Sequence, residues 1–590
     1  MPEVITDNLE LWTSALLTRS TAGRGSNGKL EAYGIKKLRE LILELAVRGK
    51  LVPQDHSDEP ASVLLEKIAK EKSRLIQEGL IKKEKSLPEI SDDEKSFLLP
   101  SGWEWGRLQD VSSYVQRGKG PRYADFGKVR VVSQKCIQWA GFDLTQARYV
   151  DDASLDGYQP ERFLRKDDLL WNSTGTGTAG RINVMPEVDP NSLVADSHVT
   201  IVRPLVVSSS FLSCYVSAPG IQQRIEPEHE NSLVSGTTNQ VELNLSAVVR
   251  LVVPVPPLAE QHRIVAKVDE LMALCDQLEQ QQTDSLAAHQ TLVETLLGTL
   301  TRVESQQEFS AAWARIASHF DTLFTTEASI DQLKQTILQL AVMGKLVSQD
   351  PNDEPASLLL GKIAKEKARL FSAGEIRTQK SLFEIGEGEK PHPLPRSWEW
   401  TRFGDISYQI TDGTHHTPTY VNEGIPFLSV KDMSAGRLDF SDTRFISREQ
   451  HEELIKRCYP QRGDLLLTKV GTTGIPILVD TDEEFSIFVS VALIKFPLDK
   501  IHRRYLSLLV SSPLVKRQSE EGTEGIGNKN LVLRKIAAFV LAIPPLAEQR
   551  RIVAKVDELM ALCDALKARL ADAKTTQLHL ADAIVEQSLG

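Results

Sequence analysis

The clearest periodicity in this sequence is a run of apolar residues spaced four and three apart, which begins shortly after a pair of prolines. After the prolines at 256 and 257 the run is Ile264, Val268, Leu271, Cys275 and Leu278. After the prolines at 544 and 545 it is Ile552, Val556, Leu559, Cys563 and Leu566. These spacings place the apolar residues on one helix face and are typical of a coiled-coil seam. The pattern predicts two long helices, each starting near a proline pair, that pack on each other.

The two seams lie in segments that are copies of each other. Residues 256–278 match residues 544–566 at 21 of 23 positions, and residues 38–90 match residues 333–385 at 34 of 53. The second of these repeats is also helical in spacing, with apolar Leu41, Leu45, Leu64 and Ile68. One interpretation is a duplicated chain in which one half has diverged. The abrupt block edges favour a constant scaffold that carries two different modules.

Two variable segments, roughly 106–255 and 401–543, lie between the copies and do not resemble each other closely. Short apolar runs at 129–132, 425–430 and 489–494 are typical of strands. Each segment has about the length of one mixed α/β domain. We therefore expect an α+β fold: a helical constant region (1–98), a first mixed module (99–255), a central constant region with a long helix (256–393), a second module (394–543) and a C-terminal helix (544–590).

Composition excludes several classes of protein. The 590 residues are 41% hydrophobic, and no apolar run approaches the ~18 residues of a membrane helix. Residues 1–17 carry acids and lack the basic region of a secretory signal. Five scattered cysteines without a Cys-x-x-Cys pair argue against a zinc module or a disulfide scaffold. We expect a cytoplasmic protein without a membrane partner.

The net charge at first argues against a nucleic-acid partner. The whole chain carries −11 at pH 7, but residues 99–256 carry −2 and residues 394–543 are neutral. The rest of the negative charge lies in the constant blocks, where lysines alternate with glutamates as on a solvated helix face. The variable modules can therefore present a local positive face.

Polar loops with glycine in the variable modules hold side chains suited to DNA. Arg, Lys, Asn, Ser and Thr pair with base edges and phosphates, and glycine lets the backbone approach closely. The candidates in the first module are Arg117, Lys119, Arg122, Tyr123, Ser133, Lys135, Asn172, Ser173, Thr174 and Thr176. Those in the second module are Thr411, Asp412, Thr414, His415, His416, Thr417, Ser429, Lys431, Thr468, Lys469 and Thr472. Such loops also commonly do no more than connect strands.

Stretches that resemble cofactor, metal or catalytic motifs lack the neighbouring residues or the secondary structure that such sites require. The stretch 23–29 approaches a P-loop, but Leu30 stands where Ser or Thr would hold magnesium. Glycines at 175, 177 and 180 precede strand-like sequence, where a dinucleotide site requires a helix. Adjacent His415 and His416 point apart on a strand, and no other ligands stand at metal spacing. We expect no catalytic residue, no metal site and no cofactor in this chain.

Several motifs together resemble the specificity (S) subunit of type I restriction–modification enzymes, over nearly the whole chain. The most specific is PPLAEQ at 256–261 running into IVAKVDEL at 264–271, with its copy from 544 to 559. Less specific are Gly413-Thr414-His415 with Thr417-Pro418, the stretch 424–428, and Gly463-Asp464-Leu465-Leu466. The first module departs from the last of these, with Lys166-Asp167-Asp168 where the second has Arg462-Gly463-Asp464.

The resemblance implies two target-recognition domains, each reading one half of a split site in double-stranded DNA. Paired antiparallel helices would set the distance between the half-sites at about one DNA turn, ~34 Å. The module arrangement would give an internal pseudo-twofold repeat. Partner modification subunits, usually two, would bind S-adenosylmethionine and methylate adenine. Restriction subunits that use ATP and Mg would join for cleavage, and this chain would supply no catalytic residue.

Two other classes of function stay open at this point. The chain could modify DNA alone, although it lacks phosphate, methyl-donor and metal motifs. It could also be a two-armed scaffold that binds proteins. Phosphate contacts make affinity fall steeply with salt, whereas an apolar protein interface responds less, so salt dependence separates this scaffold from a DNA reader.

Overall fold

The structure is a computed structural model that describes residues 3–19, 29–175, 177–237, 240–303, 306–377, 382–524 and 530–589. The candidate Thr176 and most of the P-loop-like stretch, residues 23–28, lie outside the described residues. The chain forms two compact units. The first comprises residues 1–285 and 573–590, and the second comprises residues 286–572.

The first unit starts with small elements and two constant helices: α1 (Glu3–Thr6), α2 (Leu9–Ser14), β1 (Leu17–Arg19), β2 (Lys29–Glu31), α3 (Tyr33–Val47) and α4 (Ala61–Gln77). The first variable module follows with β3 (Glu104–Arg107), β4 (Ser112–Arg117), β5 (Tyr123–Ala124), β6 (Arg130–Val132), β7 (Ile137–Gln138), β8 (Gly141–Phe142), β9 (Arg148–Val150), β10 (Leu169–Asn172), β11 (Ile182–Val184), β12 (Leu193–Ala195), β13 (Val199–Pro204), α5 (Ser209–Ser217), α6 (Pro219–Gln222), β14 (Val234–Thr237), β15 (Gln240–Leu243), α7 (Leu245–Arg250) and β16 (Val252–Val255). The long helix α8 (Leu258–Arg302) comes next and contributes to both units.

The second unit contains the constant helices α9 (Gln306–Ser318), α10 (Phe320–Leu323), α11 (Glu327–Val342) and α12 (Ala356–Ser372). The second variable module contains β17 (Glu399–Arg402), α13 (Phe403–Ile406), β18 (Gln409–Asp412), β19 (Tyr420–Val421), β20 (Ile425–Leu428), β21 (Arg444–Ile446), α14 (Arg448–Ile455), β22 (Leu465–Thr468), β23 (Pro476–Leu478), β24 (Ser486–Ile487), β25 (Val491–Lys495), α15 (Arg503–Ser511), α16 (Pro513–Gly522), β26 (Thr523–Glu524), β27 (Asn530–Leu531), α17 (Leu533–Ala537) and β28 (Val540–Ile543). Helix α18 (Leu546–Leu589) ends the chain and also contributes to both units.

The two variable modules have the same strand topology despite their different sequences. The first module has an antiparallel sheet in the order β11-β10-β13-β4, and the second has β23-β22-β25-β18. Each module adds a smaller mixed sheet, β12-β6-β9-β5 in the first and β24-β20-β21-β19 in the second. The strands expected from the apolar runs at 129–132, 425–430 and 489–494 are β6, β20 and β25. The expected pair of mixed α/β modules is therefore confirmed.

The first and last strands of each module pair with each other and close it. Strand β3 lies antiparallel to β16, and β17 lies antiparallel to β28. Arg107 at the end of β3 donates two hydrogen bonds of 2.9 Å to the Glu94 carboxylate. Arg402 at the end of β17 makes the same contacts with Glu389, at 2.8 Å. The strand pairing and the bidentate ion pair join each module to the charged segment that precedes it.

In the first unit the seam of α8 is buried against α3. Ile264, Val268, Leu271 and Cys275 lie in one apolar core with Ile35, Leu38 and Leu41 of α3 and Ala581 of α18, and Leu278 packs against that core. Arg39 in α3 pairs with Asp276, and Gln54 beyond the end of α3 hydrogen-bonds Glu260. As the chain proceeds from Arg39 to Gln54, its contacts on α8 move back from Asp276 to Glu260. Helix α8 therefore runs antiparallel to α3.

The end of α18 runs in the opposite direction beside the same constant helix. Tyr33, the first residue of α3, donates a hydrogen bond of 2.7 Å to Asp582. Arg48, just beyond the end of α3, donates to the carbonyl oxygen of Leu589. The end of α18 is therefore parallel to α3 and antiparallel to the start of α8.

The second unit repeats this arrangement with α11 in place of α3. Ile552, Val556 and Cys563 of α18 share a core with Val293, Leu297 and Leu300 of α8 and with Ile330, Leu333 and Ile337 of α11, and Leu559 and Leu566 pack against it. Asp331 in α11 pairs with Lys567, and Gln349 beyond it hydrogen-bonds Glu548, so α18 is antiparallel to α11. In both units the seams pack on the far end of the other long helix, as expected, and also on a constant helix that the seam pattern alone did not reveal.

The PPLAEQ motif joins each variable module to the long helix that follows it. Buried Glu260 accepts hydrogen bonds from Gln54 (2.7 Å) and from the indole N–H of Trp103 (2.9 Å). Buried Gln261 donates to the carbonyl oxygen of Pro256 and accepts from the amide of Ser208, both at 2.8 Å. Burial raises the pKa of Glu260, and its hydrogen bonds oppose that shift. In its first copy the motif is therefore a network of satisfied buried polar groups.

Among the described helices, none is both long enough and apolar enough to cross a membrane.

Candidate nucleic-acid interface

A glycine in each variable module marks the point where the chain passes from the larger sheet to the smaller one. A Cβ atom on Gly118, after β4, would lie 2.1 Å from the carbonyl oxygen of Asp196. A Cβ atom on Gly413, after β18, would lie 1.9 Å from the carbonyl oxygen of Ile487. No side chain fits at these distances, which explains the glycine of the Gly-Thr-His motif. The polar loops that follow start from this fixed point.

The two basic candidates beside Gly118 are engaged within the first module. The Arg117 guanidinium donates to the carboxylate of Glu242 on β15. The Lys119 ammonium donates to the carbonyl oxygen of Gly157, 2.7 Å away. Both side chains are half-buried. They hold neighbouring loops in place and leave part of their polar surface to solvent.

The candidate loop after β10 is mostly buried at its start. Asn172 and Ser173 are fully buried, and the Asn172 side-chain amide donates to the carbonyl oxygen of Gln134 at 3.1 Å. Thr174 is half-buried, with its hydroxyl 2.8 Å from Nδ1 of His198. These side chains fix the loop, and its exposed surface begins beyond them.

The remaining candidates of the first module lie nearer to solvent. Arg122, Tyr123 and Lys135 are exposed, and Ser133 is half-buried. Lys135 borders a shallow polar groove that also involves Gln134, Gln138, Asp143, Gln146, Thr178 and Arg181. Amide and guanidinium groups of this kind can form bidentate pairs with base edges.

In the second module, Asp412 is the centre of a buried charge cluster. Its carboxylate accepts from the Lys469 ammonium (2.9 Å), and both side chains are no more than 5% exposed. Arg457 (2.5 Å) and His415 (3.1 Å) contact the other carboxylate oxygen. Burial raises the pKa of Asp412, but hydrogen bonds from Lys469 and His415 outweigh it, so its pKa lies below the ordinary value. Asp412 and Lys469 therefore satisfy each other, while about half of His415 and Arg457 stays exposed.

The other candidates of the second module divide by exposure. Thr411 and Thr468 are buried, Thr414 and Ser429 are half-buried, and Lys431, His416, Thr417 and Thr472 are exposed. Ser429 donates its hydroxyl to Asp432, and Lys431 donates to the carbonyl oxygen of Asp442 at 2.7 Å. The structure thus brings the Gly-Thr-His loop and Lys469 together around Asp412.

Sequence reasoning missed several basic side chains on these surfaces. Arg181 follows the glycine loop and donates to the Gln138 side chain at 2.5 Å, and Arg457 completes the Asp412 cluster. Arg148 and Arg444 are exposed at the starts of β9 and β21. The signal for this last pair was available, because Arg-Tyr-Val at 148–150 and Arg-Phe-Ile at 444–446 stand at one constant offset in the two modules.

Within the described part of the chain, no group of three or more His, Cys, Asp or Glu side chains is placed to hold a metal ion. The five cysteines are free thiols, and four of them are buried.

Comparison with known proteins identifies the modules. The family model for the type I restriction modification DNA specificity domain matches residues 100–288 and again residues 395–573. The chain is 39% identical to the EcoAI specificity subunit and 40% identical to the EcoEI specificity subunit, type I restriction enzymes of Escherichia coli. Both alignments cover 100% of this chain and 99% of the relative.

A solved structure is also similar. The crystal structure of the HsdS subunit from Thermoanaerobacter tengcongensis aligns at 18% identity and a TM-score of 0.43, over 84% of this chain and 98% of that one. The family match and the two relatives carry the assignment: the variable modules are DNA specificity domains, and specificity subunits are non-catalytic. This chain belongs to the family of type I restriction enzyme specificity subunits.

Proposed function

We propose that the two recognition domains, residues 99–255 and 394–543, each read one half of a bipartite site in double-stranded DNA. The observation that carries this proposal is that the domains share one strand order but place different side chains on their loops. A shared scaffold with different loops suits two readers of different sequences. The constant regions, 1–98, 256–393 and 544–590, hold the readers.

The sequence candidates take two roles in this proposal. The exposed and half-buried side chains contact DNA: Arg117, Lys119, Arg122, Tyr123, Ser133, Lys135 and Thr174 in the first domain, and Thr414, His415, His416, Thr417, Ser429, Lys431 and Thr472 in the second. Thr176 stays a candidate from the sequence alone. The buried side chains position the loops: Asn172, Ser173, Thr411, Asp412, Thr468 and Lys469. A buried side chain does not reach a base edge, so these six residues act on the loops and not directly on DNA.

The long helices set the spacer between the half-sites. Helix α8 has 45 residues and α18 has 44, which is about 68 and 66 Å at 1.5 Å per residue. Rigid helices longer than one DNA turn of ~34 Å are long enough to separate two half-sites.

The chain works with partner subunits and brings no cofactor of its own. Two modification subunits bind S-adenosylmethionine and methylate adenine within the bipartite site. Restriction subunits that use ATP and Mg cleave DNA when they join the complex. The chain directs both activities to the sequence that its recognition domains read.

Exchange of one recognition domain tests this function. Residues 106–255 are replaced by the corresponding residues of the EcoAI relative, and methylated adenines are mapped across a genome that carries the partner genes. One half of the methylated motif should change while the other half and the spacer stay. The proposal fails if the exchange alters both halves equally or neither half.

A further inference from the structure

One exposed Arg–Tyr pair in the first recognition domain lies on the small mixed sheet. The Arg148 guanidinium lies over the ring of Tyr123, with its central carbon 4.1 Å from the ring centroid. Tyr123 opposes Val150 across β5 and β9, so Arg148 is its diagonal neighbour. Both side chains are exposed, Tyr123 by 41%.

The second recognition domain has the same pair at the same place. The Arg444 guanidinium lies over the ring of Tyr420, 4.5 Å from its centroid. Tyr420 opposes Ile446 across β19 and β21, the strands that match β5 and β9 in order, and Arg444 is again the diagonal neighbour. On their other side the two arginines also have matching cross-strand partners, Val131 on β6 for Arg148 and Phe427 on β20 for Arg444.

These two guanidiniums keep their donors available. Neither Arg148 nor Arg444 makes a side-chain hydrogen bond or an ion pair with any residue that the structure describes. By contrast, Arg117, Arg203 and Arg457 are each held by a carboxylate. Stacking on the ring limits the conformations of the arginine, and its five N–H donors have no acceptor among the described residues. A planar fork held in this way is pre-organised for a phosphate oxygen pair.

We propose that the two Arg–Tyr pairs, Arg148–Tyr123 and Arg444–Tyr420, are equivalent contacts to DNA phosphates, one in each recognition domain. The proposal rests on the proposed function, and it separates base contacts, made by the loops, from phosphate contacts, made by the Arg–Tyr pairs. Base-reading loops differ between the domains because their targets differ. A contact that recurs at one strand position in both domains must take a ligand that does not change with sequence. In DNA that ligand is the phosphodiester backbone, which sets register without reading bases.

Salt dependence of binding tests the proposal directly. Arg148→Gln, Arg444→Gln and the double variant are prepared as full chains in complex with the modification subunits. Affinity is measured for the duplex carrying the methylated motif and for an unrelated duplex between 50 and 200 mM salt. Each single variant should reduce the slope of log K against log salt by about 0.9, and the double variant by about 1.8. The affinity loss should be the same for both duplexes.

Matched variants separate this role from charge and from folding. Lys166→Gln and Arg448→Gln remove an exposed positive charge that is already paired, with Glu187 and Glu484, and should leave the slope unchanged. Arg148→Lys keeps the charge but loses the planar fork, so it should keep the slope and lose part of the affinity. Tyr123→Leu removes the ring on which Arg148 stacks and should weaken binding to both duplexes.

The possible outcomes distinguish this inference from the proposed function. If the wild-type complex shows no bipartite motif, the proposed function itself fails. If the wild type reads its motif but Arg148→Gln relaxes one half-site, the pair reads bases and the phosphate assignment is wrong. An unchanged salt slope in both single variants would also overturn it, because the pairs would then contact no phosphate.

Discussion

Asp167 adopts a backbone conformation that the second recognition domain gives to glycine. Its φ is 67°, and the φ of Gly463 at the equivalent position is 97°. Both residues precede a buried carboxylate that pairs with a cation on an inner strand of the larger sheet, β13 in the first domain and β25 in the second. Asp168 pairs with Arg203 in the first domain, and Asp464 pairs with Lys495 in the second. Aspartate tolerates the left-handed region better than most residues. The first domain therefore departs from the Gly-Asp-Leu-Leu motif in sequence and keeps its geometry.

The buried Asp412–Lys469 pair gives a residue-scale prediction for stability. Lys469→Met should destabilise the second recognition domain by about 3–5 kcal/mol, because it leaves a buried carboxylate short of a cation. The double variant Asp412→Asn with Lys469→Met should recover part of that loss. Urea unfolding of the full chain measures both effects.

The exposed Lys431→Met change is the control for that pair and should alter stability by no more than about 0.5 kcal/mol. An equal loss for Lys469→Met and Lys431→Met would show that the buried pair does not stabilise the domain.

The Glu94–Arg107 pair predicts a pH dependence. The hydrogen bonds from Arg107 lower the pKa of Glu94 from 4.5 to about 2. A carboxyl group whose pKa is lower in the folded state stabilises the fold above its ordinary pKa, and the effect is lost as pH falls through the lower value. Glu94→Gln should therefore lower the Tm at pH 7, and its difference from wild type should shrink as pH falls from 4.5 toward 2.

Asp93→Asn is the neighbouring control for this titration. Its Tm should follow the wild-type Tm at every pH, since Asp93 is exposed and the bidentate contact with Arg107 belongs to Glu94. A difference between Glu94→Gln and wild type that stays constant down to pH 2.5 would contradict the assignment.

At the element scale, the apolar face of each long helix packs against different partners at its two ends. The start of α8 packs on α3 and the end of α18, whereas the end of α8 packs with α11 and the start of α18. The same seam spacing therefore serves two different cores. A seam of this kind predicts burial well and partner identity poorly, because period alone does not specify the facing surface.

Two side-chain truncations on α18 test whether the buried seam stabilises the fold. Ile552 is fully buried, and Ile552→Ala should cost about 2–5 kcal/mol of unfolding free energy because it leaves a cavity in the core. Leu562 lies on the same helix but is 61% exposed, so Leu562→Ala should change stability by no more than about 0.5 kcal/mol. Chemical denaturation compares the two. Similar losses at both positions would show that the seam does not set stability.

At the scale of the whole molecule, the proposed function makes spacer length a property of the helices. Insertion of four helical residues after Ser285 in α8, with a matched insertion after Asp572 in α18, should add about 6 Å of helix. Methylome mapping should then show a spacer longer by one or two base pairs and two unchanged half-sites. A changed half-site, or an unchanged spacer in an active complex, would contradict the proposal.

The sequence by itself determined the repeat, the helical seams, the two mixed modules and the family, because each depends on local periodicity or on matching residues. It also determined which loops carry polar side chains. It did not determine which of those side chains face solvent. Asn172, Asp412 and Lys469 are buried, and Arg148 and Arg444 are exposed, because strands distant in the sequence bring partners or open space to each. Only the tertiary structure decided this, since the burial and pairing of a loop side chain depend on contacts with distant segments and follow no period in the sequence.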